Sequence, residues 1–174
     1  MLRILLSLLF LGLMFPLFAQ VTDDFSDGDI TNNPTWVGET NLWLVNASNE
    51  LQSNGNSTSD TAYLSTASIL TGEIEWRIKI NFAISPSSGN RLRIYLTSDQ
   101  SDLEGLGNGY FLEVGEDGSN DTYSLFRQDG ANDTELIRGT DGLASSGVDG
   151  TVQVLRDASG NWELLWDEGN VGLF

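Results

Sequence analysis

Between residues 73 and 82 the chain alternates: Ile74, Trp76, Ile78, Ile80 and Phe82 fall between Glu73, Glu75, Arg77, Lys79 and Asn81. Successive strand side chains point to opposite faces, so this period of two predicts a half-buried antiparallel strand. The breakers in SPSSGN (85–90) predict a turn. Leu92, Ile94 and Leu96 then alternate with Arg91, Arg93, Tyr95 and Thr97, so the two segments read as neighbouring strands of a hairpin. Further strands are predicted at 109–115, 122–128, 134–139, 151–157 and 162–167, separated by the turn sequences EDGSND, DGAND and ASGN. Three shorter ones are expected at 42–47, 49–53 and 61–67. Helix signals are nearly absent beyond the N-terminus, and closely spaced strands with turns between them predict an all-β sandwich or barrel. Trp76, Trp162 and Trp166 fall on apolar alternations and are expected in its core.

The N-terminus breaks this pattern. Arg3 precedes an apolar run from Ile4 to Phe15, Pro16 ends it, and Ala19 supplies a small residue at a cleavage point. The run is shorter than the roughly 20 residues that span a bilayer, so residues 1–19 read as a cleaved secretory signal and 20–174 as one domain. The expected location is secreted or on the extracellular cell surface, with no membrane insertion after cleavage. With no cysteine in the chain, core burial alone must hold the fold. A formal charge of −17 repels nucleic acid and anionic membrane surfaces and attracts cations.

The absence of histidine and cysteine forbids Ser-His-Asp and Cys-His nucleophiles and disfavours zinc, iron and copper. No phosphate loop ending in Lys-Ser or Lys-Thr is present. What remains is carboxylate chemistry, chiefly glycoside hydrolysis by two flanking acids.

Asp24-Phe25, Trp36, Trp43-Leu44-Val45 and Leu51, followed by NGYFLEVG, YSLFRQDG and VQVLRDASGNWELLWD, resemble the strand series of concanavalin A-like (laminin-G-like) modules in secreted bacterial cell-surface proteins. The similarity is to the N-terminal modules of gliding-bacteria proteins that carry a sorting domain downstream. It implies a two-sheet antiparallel jelly roll opening on DDFSDGDI (23–30) as an edge strand plus turn, with Phe25 in the core. Such modules close with another aromatic and acidic strand, and none follows NVGLF (170–174). The resemblance therefore implies a jelly roll lacking its last strand, as in a fragment, or one whose first strand is unpaired.

Enzymes of that fold carry Glu-x-Asp-x-x-Glu on one strand. EIEWRI (73–78) has Glu at the middle position and Ile78 at the third, so Glu73 and Glu75 read as a solvated face and no catalytic residue is assigned. Calcium is the cofactor considered, since it takes carboxylate and carbonyl oxygens and the modules resembled bind it in edge loops. Asp24, Asp27 and Asp29 form the first candidate set and DGSND (117–121) the second; the same residues also form ordinary turns.

A glycan-binding surface is the leading functional expectation, because sugar rings stack on aromatic faces while polar neighbours fix their hydroxyls. With Ile74, Trp76, Ile78, Leu92, Ile94 and Leu96 inward, Arg77, Arg93 and Tyr95 face outward, and Phe111, Glu113 and Phe126 could extend that surface or lie buried. The partner is then a glycan or a cell-surface protein, and the chain a lectin-like adhesion module. A ligand-free spacer and a glycosidase using Glu73 and Glu75 are the alternatives. Asn-x-Ser/Thr triplets at 46, 56, 120 and 132 mark exposed loops, and Asp60-Thr61-Ala62 resembles a bacterial O-glycosylation signal.

Overall fold

The computed structural model describes residues 21–55 and 61–174. The secretory signal, the triplet at Asn56 and Asp60 of the O-glycosylation signal lie outside them. No helix among the described residues is long and apolar enough to cross a membrane.

The chain forms an all-β sandwich of antiparallel sheets. Its first strands are short: β1 (Val37–Gly38), β2 (Trp43–Val45), β3 (Leu51–Ser53) and β4 (Leu64–Ser65). Long strands follow as β5 (Ile74–Phe82), β6 (Leu92–Ser98), β7 (Gly107–Val114), β8 (Tyr123–Gly130), β9 (Asn132–Arg138), β10 (Val148–Arg156) and β11 (Trp162–Glu168). The two main sheets have the orders β6-β7-β8-β9 and β11-β10-β5, and β2-β3 and β1-β4 form separate pairs.

The predicted hairpin of β5 with β6 does not form. β5 pairs along its whole length with β10, from Ile74 opposite Arg156 to Phe82 opposite Val148, while β6 pairs with β7. Alternation reports that a strand has one buried face and says nothing about its neighbour. The segment 83–91 closes a local turn through the Ser87–Asn90 bridge and carries the chain from one sheet to the other.

The core lies between the two main sheets. Ile80, Val148, Val152 and Val154 face Leu96, Leu112, Val114 and Leu125. Trp76, Trp162 and Trp166 pack against this cluster as expected, Trp76 stacking on Trp162 at 5.7 Å and Trp166 on Tyr123 at 4.3 Å. Gly150 allows the last contact, because a Cβ there would enter the Trp166 ring.

DDFSDGDI is not a strand. It is a run of turns in which Asp23, Asp24, Asp27 and Asp29 each accept a main-chain N–H two residues on, the local bonding that makes Asp a turn residue. Phe25 has φ +53° and packs on Trp36 at 6.2 Å, outside the main cluster. The Asp23 carboxylate fixes that pair, accepting Phe25 N–H at 2.8 Å and Trp36 Nε1–H at 2.7 Å.

Candidate functional site on the outward face of the four-stranded sheet

Two rows of side chains cross the face of β6-β7-β8-β9 that points away from the core. Pairing places Tyr95 opposite Phe111, Phe111 opposite Phe126, and Phe126 opposite Glu135. The neighbouring row runs Arg93, Glu113, Ser124, Arg138. Alternation alone sends these residues outward while Leu92, Ile94, Leu112, Val114 and Leu125 go inward. A register shift between Tyr95 and Thr97 and another between Leu125 and Phe126 are β-bulges, which bend the strands that carry them.

Aromatic contact is continuous along the first row. Phe111 lies 5.2 Å from Tyr95 and stacks on Phe126 at 5.2 Å with ring planes 10° apart. The Arg93 guanidinium covers Phe111, with its carbon 4.4 Å from the ring centroid. Its nitrogens pair with Glu113 at 2.6 Å and with Asp133 at 3.1 Å. Asp133 sits on β9, three strands from Arg93 and opposite Gln128, four residues along β8 from the Arg93 row, so in a flat sheet at ordinary spacing the two would stand about 20 Å apart. The pair therefore needs both a side chain laid across the face and a sheet curled toward it, which makes the face concave.

Phe111 is fully buried as a result, although it faces outward, whereas Tyr95 and Phe126 remain partly exposed. Burial by itself would lower the Arg93 pKa. The hydrogen bond to Glu113 and the charges of Glu113 and Asp133 outweigh it, so the group stays firmly cationic. Ser124 is buried, and its hydroxyl has no hydrogen-bond partner. Arg138 reaches Glu116 with both terminal nitrogens at 2.8 and 2.6 Å and also contacts Asp141. Glu116 is held below the usual carboxylate range mainly by that Arg138 hydrogen bond.

Of the residues expected on a binding surface, Arg93, Tyr95, Phe111, Glu113 and Phe126 share this face. Arg77 does not: it lies on β5 in the other sheet, ion-paired to Glu75 and 5.4 Å over the Phe174 ring. Sequence reading missed Asp133, Ser124 and Arg138. The sequence DGAND predicts a turn that takes in Asp133, yet the turn closes over Gly130 and Ala131 with Asp129 opposite Asn132. Gly130, with φ +60° at the first of the two loop positions, is the signal that places it there.

The acidic candidates separate. Asp24 and Asp27 line a hollow of about 390 Å³ with Asp23 and Asn33, and Asp29 is not among its walls. Asp29 accepts instead from Thr31 and Asn32, bonds that hold it below the usual range, the Thr31 N–H first. Asp24 is lowered chiefly by the Ser26 hydroxyl. Among the described residues no three acids converge as a metal-ligand group, and in DGSND the Asp121 carboxylate accepts the Glu116 N–H at 2.9 Å. Glu75 is bound by Arg77 and by Gln153 Nε2, bonds that lower its pKa.

No family model, curated protein or solved structure matches this chain.

Proposed function

We propose that the chain is a non-catalytic recognition module, concanavalin A-like in architecture and secreted to a bacterial cell surface, whose concave sheet face binds a glycan. The observation that carries this reading is the Tyr95–Phe111–Phe126 ladder with Arg93 laid across it. A partly exposed ring at Tyr95 and another at Phe126 offer faces for a sugar ring. Arg93, Glu113 and Asp133 bracket them with donors and acceptors for hydroxyl groups. The ligand is a neutral glycan by charge: Arg91, Arg93 and Arg138 are surrounded by Glu113, Asp133, Glu135, Glu116 and Asp141. Acids outnumber guanidiniums there, so a uronate or sulfate would meet net repulsion.

A ligand-free spacer is the second reading. It is favoured by the pairing of Arg93 with two carboxylates, which lets the face satisfy itself. Hydrolysis through Glu73 and Glu75 has less support. A general acid needs a raised pKa, whereas Glu75 is pinned in its charged form by Arg77.

The test is a glycan array spanning neutral, uronic and sulfated oligosaccharides, run with the parent chain and with Phe126→Ala and Tyr95→Ala. The proposal expects neutral hits that both variants lose. An array empty for the parent chain favours the spacer. Reducing-sugar release that Glu75→Gln abolishes would establish the enzyme.

A further inference from the structure

The Arg93 side chain is a strap with two unlike ends. Its Nε–H meets Glu113 at 2.6 Å, and that carboxylate is only 12% exposed and also has Arg91 at 3.6 Å. Its Nη2 meets Asp133 at 3.1 Å, and that carboxylate is 28% exposed. Glu113 lies on β7, inside the sheet, whereas among the described residues β9 is an edge strand. Asp133 is the second residue of β9, next to the turn at Gly130 and Ala131. Glu113 is therefore the firm end and Asp133 the weak one, a longer and wetter ion pair on the strand that opens most readily. Under the strap lies the buried ring of Phe111, between the part-exposed rings of Tyr95 and Phe126.

We propose that the Arg93–Asp133 pair is a latch on the glycan face, and that ligand binding exchanges Asp133 for a sugar hydroxyl at Arg93 and uncovers Phe111. The inference rests on the glycan reading of this face and adds how the site opens. In the latched state a sugar finds two footholds with a covered ring between them. With the guanidinium swung aside, the three rings form one platform whose neighbours stand 5.2 Å apart.

The exchange is chemically even-handed. Nε stays on Glu113, so Arg93 keeps its anchor and its charge. The Nη2 donor leaves one oxygen acceptor for another, and no buried donor is left unpaired. The apolar face of the sugar replaces the guanidinium over Phe111. An ion pair as exposed as Arg93–Asp133 is among the weak ones, so contact with the uncovered ring can offset its loss. A site that is competent only when unlatched binds in proportion to its unlatched fraction, which makes Asp133 a brake on affinity.

Asp133→Asn tests this in the whole chain. It keeps an oxygen that can accept from a sugar hydroxyl and removes the charge that holds Arg93. Without ligand, relaxation of the Phe111 ring protons by a neutral soluble paramagnet reports their contact with solvent, and it should rise in the variant. With ligand, an array of neutral oligosaccharides should return the same hits for both proteins, bound about two- to fivefold more tightly by the variant. Unchanged relaxation of Phe111, or neutral hits bound equally or more weakly by Asp133→Asn, would overturn the latch and leave the glycan reading standing. An array empty for both proteins would sink that reading and the latch with it.

Discussion

The Arg93 guanidinium lies 4.4 Å from the centre of the Phe111 ring and seals it from water on the outward face of a sheet. One side chain thus supplies the cover for an aromatic ring and the countercharge for Glu113 on β7 and Asp133 on β9. Arg93→Ala exposes the ring, leaves Asp133 without its arginine and leaves Glu113 only Arg91 at 3.6 Å. A loss of about 2–3 kcal/mol is expected, given the cost of breaking a part-buried pair and a cation–π contact. Arg93→Lys keeps the charge but not the planar fork that serves two acids, so it should fall between the two. Urea midpoints at constant slope measure the order.

Gly150 lies beneath the indole of Trp166, where an added Cβ would collide with the ring and with the Asp167 carbonyl. Gly150→Ala is expected to cost about 1–3 kcal/mol, the range for overpacking a filled core. Gly55, with nothing within 4 Å of its would-be Cβ, serves as the control. Gly55→Ala should be neutral or slightly stabilising through the unfolded chain. Thermal melts of the pair give the comparison.

The fold and half of this site could be read from alternation, and the remainder could not, for definite reasons. The clean period at 74–82 fixed β5 and its inward residues, because burial of one face leaves its mark on every second residue. The partner of β5 left no such mark, since β10 lies about 70 residues further along and its apolar run fits several neighbours equally well. The Asp-rich entry misled because acids beside Phe25 suit an edge strand and an Asx turn alike, and the turn satisfies its N–H groups locally. Tyr95, Phe111 and Phe126 were found from phase along their own strands. Asp133 joins them only through the curl of the sheet and the length of Arg93, neither of which a one-dimensional pattern records.

Acid should weaken the fold in a definite window. Arg77 holds Glu75, and Arg138 holds Glu116, below the ordinary glutamate value. Their folded-state values are depressed, so the stability they contribute is fully present above the unfolded value of about 4.3 and is lost as pH falls through the folded values. The melting temperature should hold level from neutrality down to about pH 5 and decline below it, and Glu116→Gln should make the decline shallower. At pH 7 added sodium chloride should raise the melting temperature, because a net charge of −17 makes repulsion the larger interaction to screen.

Calcium offers a check on the acidic entry. The carboxylates of Asp24, Asp27 and Asp29 are already engaged by their own turns, and Asp29 stands apart from the hollow that the other two line. Millimolar calcium, or its removal by a chelator, should leave the melting temperature unchanged apart from the general effect of salt. A stabilisation by calcium that magnesium at equal ionic strength fails to reproduce, and that Asp24→Asn removes, would place an ion in the hollow.

Chemical-shift mapping of the parent chain with the neutral oligosaccharide bound most tightly tests the aromatic face most directly. The account predicts shifts confined to the ring protons of Tyr95 and Phe126 and to the Arg93 Nε–H, with affinity lost in Phe126→Ala while its spectrum stays folded. Shifts on the opposite sheet around Arg77, or binding indifferent to Phe126, would contradict it.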